Sequence, residues 1–310
     1  MTVAARPVRP VPAGVFGLSR RQWRATIAAY LFMAPALCVL GVFTFYPVAF
    51  GTALSLLQYD VISPPRWVGL AHFRALWADR YFWTALSNSA KFVLVVPVLQ
   101  ILSIGLAVAV NRPLPGIRWF RAAYYIPVVT SMVTAGLMWR WLLEQDGLLN
   151  FVLVGLGVLR RPIAWLGHPD LALYAVMFVT LWKGLGYYMV IYLAGLQAIP
   201  PEFEEAALVD GASRWQVFRW VTLPLLRPSV LLASTISGIA AVKVFEEVYV
   251  MTGGGPMFRT YTMFLYIFDK GFQQLDLGYA AALAVVLAAV VMVLSAVNFR
   301  VFRQGGWSYD

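Results

Sequence analysis

Six long, mostly apolar stretches run through the chain, near Ile27–Gly51, Ala85–Val110, Ala122–Leu143, Leu171–Gln197, Val230–Met251 and Leu277–Phe299. A bilayer's hydrocarbon core, about 30 Å thick, takes roughly 20 such residues per helical span. Backbone groups inside hydrocarbon have no water to bond, so a segment of this length closes its own hydrogen bonds as an α-helix. Outer-membrane strands, about ten residues long and alternating in polarity, do not fit these runs. The expected fold is all-α: a polytopic membrane protein with about six transmembrane helices. Composition agrees, since 61% of the 310 residues are hydrophobic and 12% charged, against about half and about a quarter in soluble domains.

A further apolar segment, Leu148–Leu159, has only twelve residues and is flanked by Asp146, Gly147, Arg160, Arg161 and Pro162. It is too short to span and reads as an interfacial or re-entrant helix. With six spans, Arg6, Arg9, Arg20, Arg21 and Arg24, then Arg112, Arg118 and Arg121, then Arg214, Arg219 and Arg227, and finally Arg300 and Arg303 fall on one side. The opposite loops hold fewer basic residues, so the positive-inside rule puts both termini in the cytoplasm. The net charge of +10 is dispersed over loops and reads as orientation, not as a nucleic-acid surface. Residues 1–24 form a flexible basic cytoplasmic tail on this reading, 25–303 one membrane domain and 304–310 a second cytoplasmic tail. The apolar stretch after Ser19-Arg20-Arg21 is longer than a signal-peptide core and reads as a retained first span.

Cys38 is the single cysteine, which excludes an intrachain disulfide, and His72 and His168 sit in separate loops. No metal site is expected from them. Aromatics such as Trp67, Trp77, Trp83, Trp139 and Trp165 crowd the edges of the long loops Tyr59–Thr84, Glu144–Asp170 and Thr252–Asp276. They suit the lipid–water boundary, with docking of an external partner as the second reading.

The segment between the fourth and fifth spans departs most from a plain span-and-loop pattern. Pro200 and Pro201 stop one helix and preset the first turn of another, whose opening acids Glu202, Glu204 and Glu205 suit the positive end of a helix dipole. Gly211 permits a turn. Trp215, Phe218 and Thr222 then recur at helical spacing until Pro224 and Pro228, which are expected to end the helix. The product over 200–228 is a helix–turn–helix hairpin able to present a knob to a cytoplasmic partner.

Glu205-Ala206-Ala207, Asp210-Gly211-Ala212, Gln216, Phe218 and Thr222-Leu223-Pro224 together resemble the EAA loop of ABC-importer permeases. A bare EAA tripeptide means little; the three motifs at this spacing are specific. Trp67–Phe73, Phe82–Asn88, Tyr125-Ile126-Pro127 and Thr252–Pro256 resemble the sugar-uptake branch, in particular the larger permease of maltose-type and glycerol-phosphate-type importers, without the maltose protein's large external insertion. The resemblance implies a bacterial cell-membrane assembly of this chain, a second related permease, two cytoplasmic ATPase subunits and an external solute-binding protein. It implies ATPase coupling through Glu205, Ala206, Ala207, Asp210, Gly211, Leu223 and Pro224. The chain has no G-x-x-x-x-G-K-[ST] phosphate loop, so no catalytic residue or cofactor is expected in it, and ATP and Mg belong to the partner subunits.

Polar groups in spans are costly in hydrocarbon and mark cavities or helix contacts. Trp182, Lys183, Gly186, Tyr187 and Tyr188 in the fourth span, and Ser237, Lys243, Glu246 and Glu247 in the fifth, are the candidates. Lys243 and Glu246, three apart, are expected to share a helical face, either as an ion pair or beside a polyhydroxylated solute. The resemblance adds that these two spans line the transport site. Pro97 and Pro127 mark candidate kinks. An ion-gradient-driven secondary transporter is the alternative of a different class.

Overall fold

The computed structural model describes residues 20–111 and 115–303. The expected tails at 1–19 and 304–310, and Arg112, lie outside the described residues. The described chain divides into two compact units, one ending at Ala53 and one beginning at Leu54.

The first unit is α1 (Arg20–Leu40), a π-turn at Gly41–Phe45 and all but the last residue of α2 (Tyr46–Leu54). Together they pass as one 34-residue apolar helix, Arg21–Leu54. The helix begins at Arg20, so residues 20–24 belong to it and not to the expected tail.

The second unit opens with a two-residue antiparallel ribbon, β1 (Leu57–Gln58) against β2 (Arg66–Trp67), a small addition to the all-α expectation. After α3 (Ala71–Ala78), Asp79 caps α4 (Arg80–Val93), its carboxylate accepting from Tyr81 N at 2.8 Å. That cap starts the second span five residues before the predicted Ala85. α5 (Val95–Val110) continues the span beyond Leu94. Pro97 has no N–H to offer the preceding turn, which is why the ladder is interrupted there.

The third span is broken. α6 (Ile117–Val129) and α7 (Met132–Leu142) meet at 99°, so the expected continuous helix over Ala122–Leu143 is corrected. Pro127 lies inside α6, and Ser131 restarts the chain as N-cap of α7, accepting from Thr134 N at 3.2 Å. The short apolar segment of the following loop forms α8 (Leu148–Gly155). Buried Asn150 staples it, donating to the carbonyls of Glu144, Gln145 and Ile163 and accepting from Ile163 N and Trp165 Nε1.

The 26-residue α9 (Ala172–Gln197), about 39 Å long at 1.5 Å per residue, is the axis of this unit. Val176, Val179, Met189 and Tyr192 are fully buried along it, among Phe92, Leu99 and Leu283. At Gly186 a Cβ would sit 1.9 Å from the Tyr124 carbonyl oxygen. Glycine there lets the backbones of α6 and α9 touch, the small-residue packing of membrane helices.

α10 (Pro201–Val209), α11 (Arg214–Val217), a π-turn at Phe218–Thr222 and α12 (Leu223–Leu225) form the hairpin, and α13 (Arg227–Val242) follows at 66°. The fifth span does not run on to Met251 as expected. It stops at Val242, and α14 (Glu246–Met251) starts after Lys243–Phe245. The Val244 carbonyl freed by this break accepts from Thr262 Oγ1 at 3.1 Å, and the bond is buried. α15 (Met263–Phe268), a π-turn at Asp269–Gln273 and α16 (Leu277–Arg303) complete the chain. Among the described residues four helices are long and apolar enough to cross a membrane, or six if each bent pair is one span.

Candidate coupling hairpin and central cavity

The hairpin is defined by its caps. Pro200 is extended and Pro201 is the first helical residue of α10, with Glu202 and Glu204 in the first turn. Gly211 follows with φ +86°, while a Cβ there would meet nothing within 4 Å. Left-handed backbone, not lack of space, therefore calls for glycine. Ser213 and Gln216 form a reciprocal capping box that starts α11. Thr222 Oγ1 donates to Glu204 Oε1 at 2.8 Å and ties the two arms together.

Pro224 does not end the second arm, as its sequence position suggested. It sits at the start of α12, where a missing N–H is tolerated. The π-turn before it widens the ladder, and the bend falls at buried Leu226. At the base, a Cβ on Gly195 would lie 2.2 Å from Ser229 Oγ, so the end of α9 and the start of α13 are in close contact.

Glu205, Ala206 and Asp210 are exposed, while Ala207, Leu223 and Pro224 are half-buried. Phe203, Leu208, Val209 and Trp215 are exposed as well, Val209 to 88%. The hairpin therefore carries acids and a set of uncovered apolar side chains on a preformed frame, the composition of a surface that another protein covers.

Elsewhere in the unit, α4, α5, α7, α9, α13 and α14 line a half-open cavity of about 220 Å³. Its polar lining is Thr180, Lys183, Tyr188, Ser237 and Glu247, with Phe92, Leu99 and Ala241 among the apolar walls. Lys183 Nζ donates to the carbonyls of Pro127 (3.0 Å), Val128 (3.3 Å) and Thr130 (2.7 Å) at the break of the third span. Thr180 Oγ1 donates to Glu247 Oε1 at 3.1 Å. Behind the wall, Gln100 Nε2 donates to Ser237 Oγ at 2.7 Å, and Tyr192 donates to Gln100 Oε1. These buried polar groups are mutually satisfied, which fixes the Ser237 face of the cavity.

The candidate pathway residues separate into groups. Tyr188 and Ser237 line the cavity. Tyr187 is exposed and packs edge-on against Tyr188, with ring centres 5.0 Å apart. Trp182 packs on Trp139 at 5.3 Å, and Gly186 serves the close contact with Tyr124. Lys243 and Glu246 are exposed on opposite sides of the helix break and do not share a helical face. No ion pair joins them among the described residues. Thr180 and Gln100 were not singled out by sequence reasoning; each is a polar residue in an apolar run, and Thr180 lies one turn from Lys183.

Residues 84–303 match the family described as the inner membrane component of binding-protein-dependent transport systems. The chain belongs to that family. Over 90% of its length it is 34% identical to the lactose transport system permease protein LacF of Rhizobium radiobacter, covering 95% of that protein. It is 36% identical over 89% of its length to the sulfoquinovosyl glycerol transport system permease protein SmoG of Agrobacterium fabrum, covering 91% of it. The trehalose/maltose transport system permease protein MalF of Thermococcus litoralis is 34% identical, with 92% of this chain and 97% of that one covered. A chain from the crystal structure of a bacterial ABC transporter involved in importing alginate shares the fold, with a TM-score of 0.79 at 23% identity over 92% of this chain and 99% of that one. This permease is thus an inner-membrane transport subunit, and its family favours the binding-protein-dependent reading over an ion-gradient transporter.

Proposed function

We propose that this permease is one of a related pair forming the pathway of an ATP-driven importer for a saccharide, which an external solute-binding protein delivers. Both termini and the 200–228 hairpin lie in the cytoplasm on this reading. ATP and Mg are bound and used by two partner ATPase subunits. The hairpin seats in them through Glu205, Ala206, Ala207, Asp210 and Gly211, while Leu223 and Pro224 carry its second arm into the membrane. The observation that carries the proposal is the preformed hairpin itself, with exposed acids beside uncovered Phe203, Leu208, Val209 and Trp215. The names of the relatives, which transport lactose, sulfoquinovosyl glycerol and trehalose or maltose, support a saccharide cargo.

Nucleotide binding that favours one ATPase arrangement pulls the hairpin and tilts α9 against α13, exchanging inward-open and outward-open states. The solute then passes the cavity lined by Thr180, Lys183 and Tyr188 of α9, Ser237 of α13 and Glu247 of α14. Trp182, Gly186 and Tyr187 shape its wall through packing, and Lys243 and Glu246 flank the helix break that bounds it. Glu205→Ala is expected to leave the subunit in the membrane and abolish ATP-driven uptake; uptake at the normal rate in that variant overturns the coupling role. A cysteine introduced beside Glu205 should be labelled only from the cytoplasmic side, and labelling from outside overturns the orientation.

A further inference from the structure

The end of the unit remote from the hairpin holds a larger cavity, about 420 Å³, with a different lining. Asn111, at the far end of α5, lines the hairpin's own groove together with Glu204. Arg80, at the other end of the same span, lines the remote cavity, which is therefore on the opposite face of the membrane from the hairpin. Its charged side chains are Arg80, Lys91, Arg259 and Asp170, joined by Trp83, Tyr174, Thr84, Ser87 and Asn88.

Three cations face one carboxylate. Asp170 accepts from Arg259 Nη2 at 3.3 Å, and Lys91 Nζ reaches Asn88 Oδ1 at 3.5 Å. The Arg80 guanidinium has no acid partner among the described residues. The cleft is built and not a chance gathering of surface charge. Asn88, 3% exposed, donates through Nδ2 to the carbonyls of Arg259 and Tyr261, both at 2.9 Å, and so fixes the loop that carries Arg259. Trp83 is held by its Nε1 bond to the Trp77 carbonyl at 3.1 Å, yet its side chain is 43% exposed. Tyr174 is 57% exposed. Arg259 and Asp170 are more than half exposed and Arg80 is the first residue of α4, so the cleft opens at the end of the span, where charged side chains meet water or a ligand.

Open aromatic faces take the C–H face of a sugar ring, hydroxyl and amide side chains take its hydroxyls, and guanidinium groups pair with carboxylate-like anions. From this combination we propose that the outer cleft is a receiving site for an anionic saccharide, one bearing a carboxylate or sulfonate, ahead of the central cavity. The assignment rests on the saccharide-import reading and narrows it to a charged solute class. Arg80 and Arg259 hold the anion, and Asp170 tunes Arg259 by competing for it.

The test is a fluorescence titration of the full chain in lipid nanodiscs with digalacturonate, its uncharged dimethyl ester and inorganic sulfate. Digalacturonate should bind about tenfold or more tightly than the ester, with a signal change lost in Trp83→Phe. Arg80→Gln should weaken it and Asp170→Asn should tighten it, a pair of opposite signs that misfolding cannot produce. Equal binding of acid and ester, sulfate binding as tightly as the disaccharide, a signal retained in Trp83→Phe, or weakening by Asp170→Asn overturns the proposal. Uptake of a neutral disaccharide by the whole importer alongside unselective titrations sinks this cleft and leaves the import reading standing. Acid-selective binding with no saccharide uptake supports the cleft and sinks the import reading.

Discussion

Lys183 of α9 donates to the carbonyl oxygen of Thr130, 2.7 Å away, at the 99° bend of the third span. A break in a helix frees carbonyls that no turn of the same helix can satisfy, and here a cation from a neighbouring span takes three of them. Lys183→Met keeps the length of the side chain and removes the donors. It is expected to destabilise the subunit by about 1.5 kcal/mol, the low end for losing a charged hydrogen-bond donor, because Lys183 and its three carbonyl partners are half-buried. A thermal unfolding series in detergent measures this, and an unchanged midpoint would show that the bend holds without the lysine.

Glycines with and without neighbours give a paired comparison. At Gly186 an added Cβ would lie 1.9 Å from a backbone oxygen, which cannot move aside as a flexible side-chain end can, whereas at Gly105 nothing lies within 4 Å. Gly186→Ala must push α6 and α9 apart and is expected to cost about 3 kcal/mol or more, as overpacking does. Gly105→Ala should be neutral or stabilise by about 0.5 kcal/mol through helix propensity. Surface expression and unfolding of the two variants decide the point.

The contrast between span and break shows where local sequence carries information. Long apolar runs dictate helices in lipid regardless of neighbours, and the fourth and sixth spans start within a residue of their predicted positions. Pro200, Pro201 and Gly211 are equally local, so the hairpin was visible too, although the capping pair Ser213 and Gln216 that starts its second arm was not read from the sequence. The break at Lys243–Phe245 has no proline or glycine to announce it. It is stabilised by Thr262, eighteen residues on, whose hydroxyl takes the Val244 carbonyl. The three carbonyls at Thr130 likewise depend on Lys183, more than fifty residues away. Long-range partners of this kind set the cavity's shape, which is why Tyr188 and Ser237 line it while Lys243 and Glu246 do not.

Asp79 accepts from the Tyr266 and Tyr279 hydroxyls as well as from Tyr81 N. Burial raises its carboxyl, but those hydrogen bonds outweigh it and hold the group below its ordinary 3.8. The unfolded chain therefore binds that proton more readily, so the contribution is complete above pH 3.8 and drains as pH falls through the folded value. Tyr266 is displaced the other way: burial first, then its bond to Asp79, holds the phenol above 10.0. Its contribution is complete below pH 10.0 and is lost as pH climbs through the folded value. Asp79→Asn, which retains the cap, should flatten the acid limb of the stability profile, and Tyr266→Phe the alkaline limb. Unfolding midpoints across the pH range test both slopes.

The two arms of the hairpin are joined by Thr222 and Glu204 at 2.8 Å, in a half-buried setting. A hydrogen bond to a carboxylate there should be worth about 1 kcal/mol net, less than for a fully buried pair because water competes for both groups. Thr222→Val and Glu204→Ala each remove it, so the double variant should cost about 1 kcal/mol less than the sum of the singles. Amide hydrogen exchange over Pro201–Val209 reads the coupling directly. Faster exchange there in both single variants, and no further gain in the double, is the expected pattern. Additive increases would mean that Pro201, Gly211 and the capping box hold the hairpin without this bond. If the hairpin transmits force, the same variants should lower uptake while ATP hydrolysis by the partner subunits continues, since a loosened arm absorbs the motion that a rigid one passes to α9 and α13.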